Sequence, residues 1–566
     1  KEDLFKAAQW FAQSPATLSL YCQGLNQSSS GTAKNAALIN LHLATGQIGK
    51  PGAGPFSLTG QPNAMGGREV GGLSNLLSAH RDLANPVDRA EIAALWGIPS
   101  VPDKPGKSAV DLFKSLKTGE IKAVWIACTN PAQSLPNQAA VREALQAADY
   151  VVLQEAYANT DTADYADLLL PATGWGEKHG TVTNSERCIS RVLPAVPPPG
   201  EARHDWQIIV DFARLLGKKL NHAGADRLFA YSDAEAIFNE HRESTRGRDL
   251  DITGLSYALL EATGPQQWPY PEGAESGKLR LYEDGVFSTA DGKARFVAIE
   301  HLATADSILP DAPISLLSGR LRDQWHGMSR TGTIPRLFNL EDEPLLGMHP
   351  CDMRHRSLDT GDLVKVSNGR GEITVRVAEQ AGLKRGRAWM PMHWGSQFMN
   401  SPGMNALACD ATDPYSKQPE LKHAAVQIAK LDLPYPLAII RVCPDQQSAL
   451  ELMQRAREVL PRFAYATLNL YGRSSPLVVF RAATAEAITP ELLEQMDILF
   501  GLDGDEGAMV FADASRRVSK KAISAEGRLL GVRLAGETLA QGWLKKAMAE
   551  DELAASLMRF ALAPTA

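Results

Sequence analysis

Arg68 lies in a glycine-rich stretch of the sequence, at Met65-Gly-Gly-Arg-Glu69. A guanidinium group offers two parallel N–H donors, and this pair matches a small oxyanion. The alternative is an ion pair with the neighbouring carboxylate of Glu69. Residues 45–72 hold nine glycines. Glycine accumulates where φ is positive or where the chain approaches another group closely, so this density predicts irregular backbone, either as a surface loop or packed beneath a large ligand.

A second polar block, residues 318–331, follows an apolar strand-like segment at 314–317. It combines three arginines with Trp325 and His326. This mixture predicts a flat, polar, anionic ligand. A buried structural histidine packed against a tryptophan is the alternative interpretation.

Two further segments are polar. Residues 24–31 precede a helical pattern at 32–44. Their amides and hydroxyls suit a phosphate or a heterocycle at a helix start, or else a helix N-cap with spare serines. Residues 405–425 form a polar strip whose Asp-Pro and Gln-Pro steps indicate turns, and by itself this strip predicts a loop and a helix start.

The elements that must position these blocks begin with an α/β pattern. The sequence predicts strands at 121–127, 150–154 and 167–171, a helix at 138–148, and polar loops at 128–137 and 155–161, with Thr160 or Asp161 as a helix N-cap. This alternation is typical of a parallel sheet with helices on both faces. Ligands of such sheets bind at the carboxyl ends of the strands, where both loops lie.

The pattern changes twice along the chain. Alternating apolar residues at 362–367 and 372–377 around Asn368-Gly369 predict a hairpin, and 387–392 a further strand, in a β-rich, barrel-like domain. Beyond about residue 431 we expect strands at 434–442 and 476–480 and helices at 446–459 and 490–498, in a small α/β or α+β appendage. The predicted domains are residues 1–300, 305–432 and 433–566.

Composition excludes several classes of protein. The 566 residues carry a net charge of −7 and no apolar run long enough for a membrane span, so we expect neither nucleic-acid nor membrane binding. Six cysteines without a C-x-x-C pair provide no zinc-finger or iron–sulfur motif. Hydrolase, NTPase and zinc-protease motifs are missing. Because the first residue is Lys1 rather than Met, we expect a fragment of a longer chain.

Taken in order, residues 24–38, 42–71, 167–172, 177–187 and 410–417 resemble the molybdopterin oxidoreductases, in particular their assimilatory nitrate reductase branch. The resemblance covers roughly residues 1–430. It implies α/β domains around a funnel, a six-stranded β-barrel of the double-psi type, and a molybdenum held by two molybdopterin guanine dinucleotides. It also implies reduction of nitrate to nitrite by oxygen-atom transfer in the cytoplasm, with electrons from a ferredoxin, a flavodoxin or an NADH-dependent reductase subunit.

The same resemblance assigns roles to individual residues. Arg68 would orient nitrate, and Met65 would line the same pocket. The positions that would contact the cofactor are Asn26, Gln27, Cys128, Thr129, Asn130, Gln133, Asn137, Glu155, Asp161, Gly319, Arg320, Gln324, Trp325, His326, Ser329, Asn405 and Lys422. No metal ligand is expected in this chain, because the molybdenum ligand and the [4Fe–4S] cysteines are expected upstream of Lys1. Residues 527–536 weakly resemble an accessory domain of FAD-dependent nitrite and ferredoxin reductases, which suggests docking of an electron donor.

Three alternatives stay open. Formate dehydrogenases of this family carry an active-site arginine just before the Gly-Gln of the glycine loop; Thr59 stands there in this sequence, and this favours nitrate. A metal-free relative, such as the large iron–sulfur subunit of respiratory complex I, would lack the cofactor pattern at 319–331 and 405–422. A periplasmic nitrate reductase would have one more residue between Met65 and Arg68.

Overall fold

The computed structural model of the chain describes residues 1–473, 475–504, 508–550 and 562. Its first part contains a three-stranded parallel sheet of Ala123–Ala127, Tyr150–Glu155 and Leu168–Pro171. Helices Ala109–Lys117 and Gln138–Ala147 pack on one face around Leu153. Helix Asp205–Lys219 covers the other face, where the rings of Trp125 and Phe212 lie 4.8 Å apart. The predicted parallel sheet with helices on both faces is confirmed.

The predicted helix N-cap at Thr160 or Asp161 is wrong. Only one 3-10 turn follows, Ala163–Tyr165, and Thr162 occupies its N-cap position without a capping hydrogen bond. Thr160 and Asp161 are buried instead. Asp161 accepts hydrogen bonds from Asn130 and from Ser396 of the barrel, so tertiary contacts use the side chain that a cap would need.

The glycine-rich stretch is more regular than its composition predicts. Within residues 45–72 the structure has strand Gly54–Ser57, paired in parallel with Leu18–Tyr21, and helix Ala64–Glu69. The helix is anchored by Glu69, which accepts hydrogen bonds from Thr183 Oγ1 and Trp268 Nε1. A Cβ on Gly66 would lie 2.1 Å from Asn63 Oδ1, so this glycine permits a close approach inside a helix.

The remaining elements of the first part surround these. Its other helices are Glu2–Gln13, Gln23–Asn26, Gly31–Ala44, Pro86–Trp96, Pro131–Ser134, Ala225–Leu228, Ala234–Ser244 and Tyr257–Thr263, with a 3-10 turn at Trp175–Glu177. Strands Gly180–Thr183, Cys188–Val192 and Gln266–Gln267 form an antiparallel sheet, and Leu76–Leu77 pairs with Arg81–Asp82. Within the described residues, no helix combines the length and apolar character of a membrane span.

The predicted β-barrel is confirmed as a closed six-stranded one. Its strands are Ile314–Gly319, Leu345–Met348, Leu363–Asn368, Gly371–Glu379, Arg387–Pro391 and His423–Lys430. Helix Pro350–His355 and 3-10 turns Thr331–Thr333, Pro335–Phe338 and Met404–Ala406 lie between them. The hairpin turn differs from the prediction: Asn368 pairs with Gly371, so Gly369 and Arg370 form the turn. The side-chain nitrogen of Asn368 (Nδ2) donates to the carbonyls of Leu407 and Ala425, and these bonds fix Asn368 at the end of its strand.

The C-terminal part contains more elements than the two strands and two helices that the sequence predicts. Strands Tyr435–Val442, Tyr465–Tyr471, Leu477–Thr484, Ala508–Asp513, Val518–Ala525 and Arg528–Ala535 form one antiparallel sheet. Helices Gln446–Arg457 and Pro490–Leu499 pack on one face in a core shared with the barrel, a 3-10 turn lies at Leu460–Arg462, and helix Gln541–Ala549 covers the other face. The antiparallel sheet makes this part α+β, one of the two expected arrangements.

A buried ion cluster joins the C-terminal part to the barrel. Asp342, in the loop before a barrel strand, pairs with Arg481 and Lys545 of the C-terminal part. Burial alone would raise the pKa of Asp342, but the two cations outweigh it and hold the pKa below its ordinary value. Beside it, Tyr465 Oη donates to Glu343 at 2.8 Å.

We expect Asp342→Ala to destabilise the chain by about 3–5 kcal/mol, because it leaves two cations buried without their carboxylate. Since the pKa of Asp342 is depressed in the folded state, its contribution should be present at neutral pH and lost as the pH falls through the acidic range. Urea unfolding of the full chain measures both effects. The control is Asp149→Ala, which removes an exposed partner of Lys122 and should change stability by less than about 1 kcal/mol. Equal effects of the two substitutions would contradict the prediction.

Candidate cofactor and anion site

The start of helix Gly31–Ala44 is bound to the barrel through carboxylates. Ser29 donates to Glu420 from its amide at 3.1 Å and from its hydroxyl at 2.9 Å. Thr32 donates to Asp413 from its amide at 2.9 Å and from its hydroxyl at 2.7 Å. Acidic side chains of the chain itself therefore fill the positions where the sequence predicted a phosphate or heterocycle, because an anion is favourable at a helix N-terminus whatever its source.

Asn26 and Gln27 lie at this contact. The Asn26 side-chain oxygen accepts a hydrogen bond from Asn35, and the Gln27 carbonyl accepts one from the Leu421 amide. The segment that contains them is therefore fixed next to Lys422. Residues almost 400 positions apart in sequence become neighbours.

We call residues 318–331 the Trp-His loop, and His393 holds it in place. His393 is fully buried. Its Nε2 accepts from the Leu321 amide at 2.9 Å, and its Nδ1 donates to the His326 carbonyl at 2.8 Å. Burial lowers the pKa of His393 to about 4. The imidazole is therefore neutral at physiological pH, as a ring that both accepts and donates must be.

His393 is not marked by any local motif. It follows a barrel strand in an apolar context, Met392-His-Trp394. Its position directly after a predicted buried strand is the one feature of the sequence that could have indicated a structural role.

The glycine-rich stretch meets the Trp-His loop. The Arg320 guanidinium lies 4.0 Å from the centre of the Trp325 ring. A Cβ on Gly60 would lie 2.6 Å from Arg320 Nη1 and 3.2 Å from the Trp325 ring, so a larger residue there would displace the Arg320 guanidinium. Gln61 Nε2 approaches His326 Nε2 at 3.4 Å. Arg320 is thus held between an indole ring and a glycine backbone, and this orients its donors.

Polar atoms in the Trp-His loop are buried without partners. Arg320 Nη2 and Gln324 Oε1 have no hydrogen bond to the described residues. The Gln324 amide nitrogen donates to the Leu337 carbonyl at 3.0 Å, which fixes the orientation of the side chain. Buried donors and acceptors are nearly always satisfied, so these atoms indicate a ligand.

Positive charge accumulates here without compensation. Lys422 Nζ is 3.5 Å from Ser318 Oγ and 3.7 Å from Met392 Sδ. Within the described residues, neither Lys422 nor Arg320 forms a salt bridge. Burial, together with the charge of Arg320, lowers the pKa of Lys422 to about 8. Burial and then the charges of Arg320, Lys422 and Arg330 likewise lower the pKa of His326. Such a cluster favours an anion.

The loop at 128–137 is seated on the barrel by amide side chains. Gln133 Nε2 donates to the His393 carbonyl at 2.9 Å, and Asn405 Nδ2 donates to the Ser134 carbonyl at 2.8 Å. The Asn137 amide donates to the Ala408 carbonyl at 3.1 Å. Gly327 approaches so closely that its Cβ would lie 1.7 Å from Gln133 Oε1. Gln133 therefore contacts the Trp-His loop, whereas Asn137 and Asn405 join the loop at 128–137 to the barrel domain.

Other predicted residues lie around this group. Burial and then the charge of Asp205 raise the pKa of the Cys128 thiol to about 12, so Cys128 stays a neutral thiol. Burial also raises the pKa of Glu155. Thr129 is exposed. Asn130, Asp161 and Ser329 line one recess, and a Cβ on Gly319 would lie 2.7 Å from the Trp389 indole nitrogen.

Within the described residues, no hydrogen bond or ion pair joins Arg68 or Met65 to the Trp-His loop. The Arg68 side chain is exposed and forms no ion pair with the described residues. Glu69 is buried and bound elsewhere, so the alternative of an Arg68–Glu69 pair is not observed. Met65 lines an open cavity of about 830 Å³ with Phe56, Trp268 and Arg187. The described part of the chain holds no cluster of three side chains that could ligate a metal.

Comparison with known proteins adds to this geometry. Residues 5–215 match the family model described as molybdopterin oxidoreductase, and residues 314–425 match the molydopterin dinucleotide binding domain. The chain is 42% identical over 427 residues to a nitrate reductase of Klebsiella oxytoca, covering 74% of this chain and 48% of that protein. It is 35% identical over 430 residues to the assimilatory nitrate reductase catalytic subunit of Bacillus subtilis, covering 75% and 59%.

A third relative is the F420-dependent formate dehydrogenase subunit alpha of Methanocaldococcus jannaschii, 33% identical over 441 residues, covering 76% of this chain and 61% of that protein. The chain thus spans about half to three fifths of these relatives. The structure is similar to that of acetylene hydratase from Pelobacter acetylenicus, with a TM-score of 0.53 and 17% identity over 76% of this chain and 63% of that one, and this likeness shows the fold alone.

The two matched family models and the sequence relatives agree with the parallel sheet, the closed barrel and the polar loops between them: the chain belongs to the molybdopterin oxidoreductase family.

Proposed function

We propose that this chain is part of the catalytic subunit of a molybdenum nitrate reductase that reduces nitrate to nitrite for assimilation. The observation that carries the proposal is the uncompensated cationic group of Arg320 and Lys422, placed between the glycine-rich stretch and the barrel. When bound, a molybdenum centre held by two molybdopterin guanine dinucleotides would supply the two-electron oxygen-atom transfer.

The residues present fit such a cofactor. Its pyrophosphates are anions that Arg320 and Lys422 can bind, and Arg320 Nη2 is buried with no other partner among the described residues. Its heterocycles carry both donors and acceptors, and these match the amides of Gln133 and Asn405 and the carboxylate of Asp161. Gly60 and Gly327 allow Arg320 and Gln133 to pack closely against the backbone, which positions these two side chains. We propose the remaining predicted positions as cofactor contacts on the same grounds.

Arg68 is the proposed nitrate-binding residue. Nitrate is planar, carries one negative charge and accepts two parallel N–H donors from a guanidinium. Arg68 forms no ion pair with Glu69, whose carboxylate accepts hydrogen bonds from Thr183 and Trp268, although the two charges still interact at longer range. The same two bonds, with the Thr183 amide donating to Asn63 Oδ1 at 2.9 Å, fix the helix that carries Arg68. Thr59, at the position of the formate dehydrogenase arginine, supports nitrate over formate.

The proposal includes components outside the chain. A [4Fe–4S] cluster and the molybdenum ligand would come from an upstream segment. The electron donor would be a ferredoxin, a flavodoxin or an NADH-dependent reductase subunit, and the enzyme would act in the cytoplasm. The resemblance to the assimilatory branch supports these assignments.

The cofactor is tested by its composition. We expect the full-length protein to release about two GMP per molybdenum on acid treatment, because each dinucleotide carries one GMP. Mass spectrometry of the metal and chromatography of the nucleotide measure the ratio. Absence of both from the full-length protein would refute the proposed cofactor.

Replacing Arg68 by Ala in the full-length enzyme should raise the nitrate KM and lower kcat/KM by roughly 10- to 100-fold. This range corresponds to the loss of a charge-assisted hydrogen bond, about 1.5–3 kcal/mol. Steady-state kinetics with an artificial donor measure it. Arg246→Ala, which removes an exposed partner of Glu243 and Glu272, is the control and should behave as the wild type. An unchanged nitrate KM in Arg68→Ala would remove the role of Arg68.

Lys422→Met should stabilise the cofactor-free chain while reducing its cofactor content. The pKa of Lys422 falls from 10.5 to about 8 on folding, so at neutral pH the folded chain buries a charge at a cost of about 3 kcal/mol. Between pH 8 and pH 10.5 the unfolded wild-type chain binds more protons than the folded one. The free energy of unfolding of the wild type should therefore rise with pH, and the stability difference between Lys422→Met and the wild type should shrink.

Urea unfolding on both sides of pH 8 tests the stability change, and GMP content of the full-length protein tests the binding role. Lys384→Met, at an exposed barrel position, is the matched control and should alter neither quantity. A Lys422→Met protein that is less stable without cofactor, or that keeps its full GMP content, would contradict the assignment.

A further inference from the structure

The C-terminal part of the chain packs directly behind two loops of the proposed cofactor site. It lies beyond residue 425, where the matched family models end. Gln446 Nε2 donates to the Thr333 carbonyl at 2.7 Å, next to the Trp-His loop. The Leu468 amide donates to the Phe398 carbonyl at 2.8 Å, and Asn400 Nδ2 donates to the Phe463 carbonyl at 2.7 Å. These bonds seat the C-terminal part on the loop at 393–400.

Arg457, the last residue of helix Gln446–Arg457, reaches furthest toward the site. Its Nε donates to the Gln397 carbonyl at 3.0 Å, and its guanidinium carbon lies 5.9 Å from the Phe398 ring centre. Its two terminal nitrogens form no hydrogen bond or ion pair with the described residues. They border a recess that is also lined by Asn130, Asp161 and Ser329, three proposed cofactor contacts.

A second observation at the same recess points to a ligand. Thr160 is 3% exposed, and its hydroxyl has no hydrogen-bond partner among the described residues. The side-chain oxygen of Gln397, which also lines the recess, is buried without a partner. Unsatisfied buried groups are rare in folded proteins. Two such groups, next to the terminal nitrogens of Arg457, indicate that something polar completes the recess.

The size and charge of the recess indicate which part of the cofactor could bind there. Its volume is about 10 Å³, roughly the space of one water molecule, so it can receive a single polar group at the edge of a ring but not a whole ring. Arg457 interacts electrostatically with Asp161 and Asp164, and Asp161 also pairs with Arg142 at 3.6 Å. Two cations and two carboxylates leave no excess positive charge for a pyrophosphate. A guanine base is neutral. Its O6 and N7 accept from a guanidinium, and its ring N–H groups donate to a carboxylate.

We propose that Arg457 and Thr160 bind the carbonyl edge of one guanine base of the cofactor, so that the C-terminal part completes the cofactor site. This inference rests on the proposed function. It gives the C-terminal part a role separate from docking of an electron donor. Arg457 lies outside the matched family models. If it binds the base, the protein retains the nucleotide only when the C-terminal part is packed correctly.

The test uses the full-length holoenzyme with Arg457→Gln, Arg457→Lys and Arg455→Gln. Arg455 lies in the same helical turn and is exposed, which makes it the matched control. The readouts are GMP per molybdenum after purification and the rate at which GMP is lost from the protein on storage. We expect Arg457→Gln to lose GMP about ten-fold faster or more, Arg457→Lys to be intermediate because it keeps the charge but not the fork, and Arg455→Gln to match the wild type.

The outcomes separate this inference from the proposed function. A wild-type protein without GMP would refute the proposed function, and this inference with it. A wild type with GMP, and an Arg457→Gln protein with the same GMP content and loss rate, would overturn the role of Arg457 alone. If Arg457→Gln does not fold, Thr160→Val provides the test, because it removes only the hydroxyl: faster GMP loss would support the inference, and an unchanged rate would overturn it.

Discussion

The neutral imidazole of His393 is the contact on which the candidate site depends. It accepts a hydrogen bond from Leu321 and donates one to His326, while its own carbonyl receives the amide of Gln133. One residue thus connects a barrel strand, the Trp-His loop and the loop that follows the first parallel strand. A protonated ring could not accept from Leu321, so the low pKa that burial imposes is a condition for this arrangement.

Charge is distributed unevenly around that contact. The helix start near Thr32 is satisfied by Asp413 and Glu420, so this backbone anion site is occupied by the protein itself. Arg320 and Lys422 have no carboxylate partner among the described residues. A chain with a net charge of −7 therefore concentrates uncompensated positive charge at one place, and the free energy of burying it is recovered only when an anion binds.

The C-terminal part shows how an element outside the matched family models can join a family site. The sheet shares its hydrophobic core with the barrel, and the Asp342 cluster adds buried ion pairs across the same contact. These contacts fix the position of helix Gln446–Arg457 and therefore of its last side chain, Arg457. The packing of this part thus determines which side chain lies at the wall of the proposed cofactor recess.

The sequence by itself determined the local elements and the family. Apolar periodicity gave the parallel strands, the hairpin at 362–377 and the C-terminal helices, because side-chain spacing within one element reflects which face is buried. The motifs at 24–71 and 410–417 identified the family, and the polar loops supplied the candidate residues. The turn at Gly369 and Arg370, the helix within the glycine-rich stretch and the missing cap at Thr160 were mispredicted, because contacts with Leu407, Thr183 and Ser396 override local preference.

Only the tertiary structure revealed the contacts of His393, Glu420 and Arg457. Each acts on residues between about 60 and 390 positions away, and no periodicity or local motif records such a pairing. Barrel closure and the docking of the C-terminal sheet bring these side chains together. Burial then decides which of them stay neutral, which are neutralised by a partner and which remain charged for a ligand.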